Sequence, residues 1–97
     1  MIAAGAQPVV PDLPGLNEVG FATSDTLWAQ LALCSSLPQR IVVLGAGPIG
    51  CELGQAFARL GAEVTLVEAG LRLLAREDED VSALVQTALQ TDGARVL

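Results

Sequence analysis

Histidine, tyrosine and lysine are absent from the 97 residues, and the aromatic side chains are two phenylalanines and one tryptophan. Without histidine the chain lacks the commonest general base and a leading metal ligand. Its five basic residues are all arginine, scattered and outnumbered by eleven acids, for a net charge of -6. That balance excludes nucleic acid as a partner and reads as a solubilising surface. No apolar run reaches the roughly 18 residues that a membrane span needs. The opening Met1-Ile2-Ala3-Ala4-Gly5 has neither the basic region nor the long apolar stretch of a secretory signal, so the expected location is cytoplasmic. The two cysteines, Cys34 and Cys51, are too far apart for a C-x-x-C pair and have no histidine to complete a zinc site. They read as unpaired structural thiols.

What is present is aliphatic. Hydrophobic residues make up 52% of the chain and the mean hydropathy is +0.52, high for one small domain. Ala, Val, Leu and Ile carry this excess, as in parallel sheets buried on both faces. A chain cut from a larger protein whose other domains cover it would read in the same way.

Along the chain, Met1–Ala6 reads as the end of a short strand. Pro8, Pro11, Pro14, Gly15 and Gly20 then punctuate a loop that should be neither helix nor central strand. Thr23-Ser24-Asp25 offers capping groups to a short helix with Leu27, Trp28, Leu31 and Ala32 on its apolar side. Arg40–Leu44 is a β-branched run expected to be a buried parallel strand, and Glu63–Val67 a second strand. Between them Cys51–Leu60 should be helical, with Gly61 as its cap. The acidic run Glu77-Asp78-Glu79-Asp80 fits the first turn of another helix, where carboxylates favour the positive end of the dipole. Val81, Leu84, Val85, Ala88 and Leu89 follow at helical spacing. Ala94–Leu97 looks like the opening of a third strand, in which the chain stops.

The chemistry concentrates in Gly45-Ala46-Gly47-Pro48-Ile49-Gly50. Alone, G-x-G-x-x-G is a weak pattern. Here it follows a predicted strand, opens a helix, and precedes a second strand that ends in an acid, Glu68, about 20 residues on. Gly45 suits the tight turn, Gly47 admits a pyrophosphate to the backbone, and Gly50 allows helix and strand to pack closely. Free N–H groups at the helix start bind phosphates without a cationic side chain. Glu68 is placed to accept hydrogen bonds from the adenosine ribose and to repel a 2′-phosphate, favouring NAD over NADP. Glu52 could be a solvated or capping carboxylate. Cys51 lies near a helix start, which lowers thiol pKa, yet it has no partner cysteine or base and suits small-residue packing. The fold class is therefore α/β, a partial Rossmann-type three-layer βαβαβ unit with a parallel sheet, preceded by a Pro-rich loop and a short helix.

Ala3-Ala4-Gly5-Ala6, Pro8-Val9-Val10-Pro11-Asp12-Leu13-Pro14-Gly15-Leu16, the glycine loop with Cys51-Glu52-Leu53-Gly54, and Leu60-Gly61-Ala62-Glu63-Val64-Thr65-Leu66-Val67-Glu68, with Arg72-Leu73-Leu74 and Asp78 beyond, together resemble the pyridine nucleotide–disulfide oxidoreductases. This family includes dihydrolipoamide dehydrogenase, glutathione reductase and mercuric reductase. The resemblance spans essentially the whole chain. It implies an NAD-binding domain inserted in a larger FAD-binding one, in a homodimeric parent, with residues 1–38 at the junction and residues 39–97 as the first half of the NAD-binding domain. It also implies that Glu52 sits near the nicotinamide end. Ala4 stands where the family usually has threonine. The family's FAD fingerprint, redox-active cysteine pair and C-terminal dimerisation domain with its catalytic histidine have no counterpart here, and neither Cys34 nor Cys51 matches them. The resemblance thus implies a fragment that positions NADH for hydride transfer to FAD, with no catalytic residue of its own. The alternatives are a non-catalytic dinucleotide-sensing domain, against which the Pro-rich lead-in and Glu52 count, and an unrelated single-cofactor dehydrogenase, which usually begins its Rossmann unit near residue 1.

Overall fold

The computed structural model describes all 97 residues and divides into two units, Met1–Ser36 and Leu37–Leu97. The first unit buries no residue. Met1–Ala6 forms no strand, contrary to the sequence expectation, because a strand exists only through pairing and these residues find no backbone partner. The Pro/Gly-rich segment is not wholly irregular either. One helical turn, α1 (Leu16–Val19), fits between Gly15 and Gly20, held by the Val19 N–H on the Gly15 carbonyl at 3.2 Å. Helix α2 spans Leu27–Ala32, with Leu27 and Leu31 half-buried and Trp28 exposed. The Thr23 N–H donates to Thr26 Oγ1 at 2.9 Å in the turn before it.

The second unit runs β1 (Arg40–Leu44), α3 (Pro48–Arg59), β2 (Glu63–Val67), α4 (Glu79–Thr91) and β3 (Arg95–Val96). The strands form one parallel sheet in the order β1-β2-β3, with Val43 opposite Leu66 and Leu66 opposite Val96. Right-handed crossovers between successive neighbours place both helices on the same face. On that face Val64 and Leu66 are completely buried. Helix α3 covers them with Cys51, Gly54 and Phe57. A Cβ on Gly54 would come within 3.2 Å of Leu66 Cδ1, so the absence of a side chain there sets how closely helix and sheet approach.

The expected burial of β1 on both faces is not seen. Val42 and Leu44 are 64% and 44% exposed, and Val67 beside them is exposed as well, because no helix of this unit lies over the second face. Helix α3 also starts earlier than the apolar pattern predicts. Pro48 occupies its first position, where a fixed φ and a missing N–H cost nothing. Both crossover helices end in the same Schellman geometry. Ala62 donates to the Phe57 carbonyl and Ala94 to that of Leu89, each at 3.0 Å, with Gly61 and Gly93 at the turn.

Helix α4 is rotated from its predicted apolar stripe. Leu84 is 71% exposed and Val81 lies open, whereas Ser82 and Leu89 are buried. The Ser82 hydroxyl donates to the Leu73 carbonyl at 2.7 Å, and this anchor brings the line 82–85–86–89 against the sheet side. Asp92 at the far end accepts from Gln55 at 2.7 Å and Arg59 at 2.8 Å, tying α4 to α3. No helix is long and apolar enough to cross a membrane.

Candidate functional site

Parallel strands leave their C-terminal ends on one edge of the sheet, and α/β sites form there. At that edge the Gly45 N–H still pairs with the Val67 carbonyl at 2.8 Å. The chain then turns sharply through φ +97° at Gly45, a value that side chains resist and glycine accepts. Ala46, the next residue, is completely buried. Gly47 caps α3 and accepts its first hydrogen bond, from the Cys51 N–H at 2.9 Å. The N–H groups of Gly47, Ile49 and Gly50 have no acceptor in the chain, and the twelve-residue α3 directs its positive dipole end toward them.

Gly50 has a more specific task than close packing of helix on strand. A Cβ there would fall inside the contact radius of the Gly45 carbonyl oxygen, and would also stand 3.4 Å from Val43 Cγ1. The loop therefore folds back on its own first residue. Close packing of helix on sheet is shared by Gly54, one helical turn later, a position that the loop spacing does not single out. Its signal was the i, i+4 relation to Gly50 on one helix face.

Glu68 follows β2 and reaches back to this loop. Its Oε2 accepts the Ala46 N–H and its Oε1 the Gly70 N–H, both at 2.8 Å. These two donors, Ala46 first, hold the carboxyl below the usual glutamate range, the Ala69 N–H contributing and burial opposing. A depressed pKa makes the anion's stabilisation fully present above the unfolded-state value, and it is lost as pH falls through the folded-state value. Each oxygen keeps further acceptor capacity for a ligand hydroxyl.

Glu52 is exposed at the start of the second turn of α3, where it makes no hydrogen bond and lines an open hollow with Pro48, Cys51, Gln55 and Glu77. The structure does not bring it to the Glu68 carboxylate. Cys34 and Cys51 are unpaired, the first exposed and the second buried. The Cys51 thiol donates to the Ala46 carbonyl at 3.4 Å. Burial raises its pKa, and the Glu68 and Glu52 carboxylates raise it further, so the helix dipole does not make it a reactive thiolate. Iodoacetamide applied to the native protein at mildly alkaline pH is expected to leave Cys51 unmodified and to alkylate it only after denaturation. Peptide mass mapping checks this, and rapid native alkylation would contradict the neutral buried thiol.

Comparison with known proteins agrees with this architecture. The family model for pyridine nucleotide-disulphide oxidoreductase matches residues 1–97. Mercuric reductase of Staphylococcus aureus is 41% identical over the whole chain, which spans 17% of that protein. The HOCl-induced flavoprotein disulfide reductase of Escherichia coli, solved as a Cu(II) complex, is 35% identical and superposes with a TM-score of 0.80 over 96% of this chain and 21% of its own. The water-forming NADH oxidase of Lactobacillus brevis, solved with NADH bound, is 28% identical with a TM-score of 0.73, over 96% of this chain and 21% of its own. The chain thus corresponds to about a fifth of the length of these proteins. In fold, in sequence and along its full length, it belongs to the pyridine nucleotide–disulphide oxidoreductase family.

Proposed function

We propose that residues 39–97 are the first half of an NAD(H)-binding domain, residues 1–38 its junction with an FAD-binding domain, and the whole protein an FAD-dependent oxidoreductase. The observation that carries the nucleotide reading is the pairing of unpartnered N–H groups at Gly47, Ile49 and Gly50 with the ionised Glu68 carboxylate on the same sheet edge. The first group suits a pyrophosphate, approached closely because Gly47 has no side chain and open space where a Cβ would stand. The second suits ribose hydroxyls and repels a 2′-phosphate, which is why NADH is the preferred partner. Pro48 and Ile49 flank the phosphate position, and Glu52, at the start of the second turn of α3, serves the nicotinamide end.

A bound nicotinamide would supply a hydride from its C4 to the flavin N5. This chain's own contribution is position and electrostatics: the loop holds the diphosphate, and Glu68 orients the adenosine end. Anaerobic mixing of the full-length protein with each nucleotide tests the reading through bleaching of the flavin band. NADH is expected to bleach it at least about tenfold faster than NADPH at equal concentration, given the cost of opposing a phosphate to a carboxylate. Equal rates would overturn the preference, and inertness toward both would overturn the site.

A further inference from the structure

Ala46 has the smallest side chain in the glycine loop after glycine itself, yet its backbone is held from three directions. Its N–H donates to Glu68 Oε2 at 2.8 Å. Its carbonyl accepts the Leu74 N–H at 2.9 Å and the Cys51 thiol at 3.4 Å. These partners come from the end of β2, from the segment between β2 and α4, and from the first turn of α3. Ala46 is completely buried, so water cannot replace them.

The Leu74 contact is maintained against a local cost. Leu74 has φ +49° and is the one non-glycine residue of the chain with a positive φ, a region that branched side chains avoid. Its neighbours sustain the conformation: the Arg72 guanidinium donates to the Glu77 carbonyl at 2.7 Å and the Ala75 carbonyl at 3.3 Å, and the Glu77 N–H closes on the Leu74 carbonyl at 2.8 Å. Gly70 belongs to the same arrangement, since a Cβ there would stand 3.2 Å from Glu68 Oε1. A segment that joins two elements is thereby built around the backbone of one loop residue.

We propose that Glu68 is a positioning residue for the glycine loop, its carboxylate acting with Leu74 and Cys51 as a latch on Ala46 that sets the loop's phosphate-facing N–H groups before any nucleotide arrives. The latch is independent of whether the ribose is also read by Glu68. Loss of the carboxylate leaves the Ala46 N–H buried without an acceptor. The loop then opens more often, whereas the distant turns of α4 do not.

The test is hydrogen exchange by mass spectrometry on the full-length protein without nucleotide, comparing wild type, Glu68→Ala and Glu68→Gln. Exchange in peptides covering residues 44–50 is expected to be on the order of ten- to a hundredfold faster in Glu68→Ala, with residues 83–90 unchanged. Glu68→Gln keeps one acceptor oxygen and places an N–H group against the other donor, so its exchange should lie between the two. If Glu68→Ala does not fold, the glutamine variant alone decides by the same comparison. Unchanged exchange at residues 44–50 overturns the latch, as does equal acceleration at residues 44–50 and 83–90, which would mark a merely global loss of stability. Because no nucleotide is present, either result leaves the NAD(H) reading standing on its own experiment.

Discussion

Gly50→Val is expected to cost about 3 kcal/mol of stability and, on the proposed NAD(H) reading, to abolish nucleotide binding in the full-length protein. The Cβ would overlap the Gly45 carbonyl oxygen, and the obstacle is backbone rather than a side chain that can rotate away. Relief requires the first turn of α3 to move off the loop. That movement separates the N–H groups of Gly47, Ile49 and Gly50 from the geometry they share, so binding and stability fail together. Overpacking of this kind typically costs about 1–3 kcal/mol, and the absence of any local alternative places this site at the upper end. Gly50→Ala should show the same defect to a smaller degree. Thermal unfolding and NADH titration read the two effects; a variant with the wild-type Tm and undiminished NADH affinity would mean that the loop has room the geometry denies.

On the proposed NAD(H) reading, Glu68→Arg should reverse cofactor preference chiefly by weakening NADH binding. The arginine removes the acceptor for ribose hydroxyls and supplies a cation for a 2′-phosphate. It also leaves the Ala46 and Gly70 N–H groups without their carboxylate partner. NADH affinity is therefore expected to fall on the order of ten- to a hundredfold, the larger figure applying if both hydrogen-bonding roles are lost. NADPH should gain less than the new charge alone would supply, because it binds a loop that is less well held. Steady-state kcat/KM for the two nucleotides gives the ratio. An unchanged ratio would show that residue 68 does not read the ribose; a full gain for NADPH with no loss of loop order would argue against the latch.

Much of this region was legible because its signals are local. Arg40–Leu44 and Glu63–Val67 were predicted as strands with the bounds they have, since β-branched runs between glycine turns have few other solutions. The turn at Gly45 and the acid after β2 follow from steric and electrostatic needs that residue type alone expresses. Less legible was the start of α3: Pro48 and Ile49 break the apolar periodicity, yet proline is favoured in the first helical turn and pulled the boundary back into the glycine loop. The strand expected at Met1–Ala6 failed for the opposite reason. Its residue pattern was suitable, but strand structure requires a partner.

Sequence alone therefore determined the order of elements from α2 onward, the glycine turn and the identity of the acid at the sheet edge, because each depends on residues close in the chain. Only the tertiary structure decided which side of α4 faces inward, where the Ser82 hydroxyl outweighs the apolar stripe through Leu84. It alone showed one sheet face open at Val42 and Leu44, and Gly54 as the point where helix and sheet meet. It alone joined Glu68, Leu74 and Cys51 at the backbone of Ala46. Hydrogen bonds to a buried main-chain group leave no mark on the residue that receives them, so an alanine gives no sign in sequence of the partners the fold brings to it.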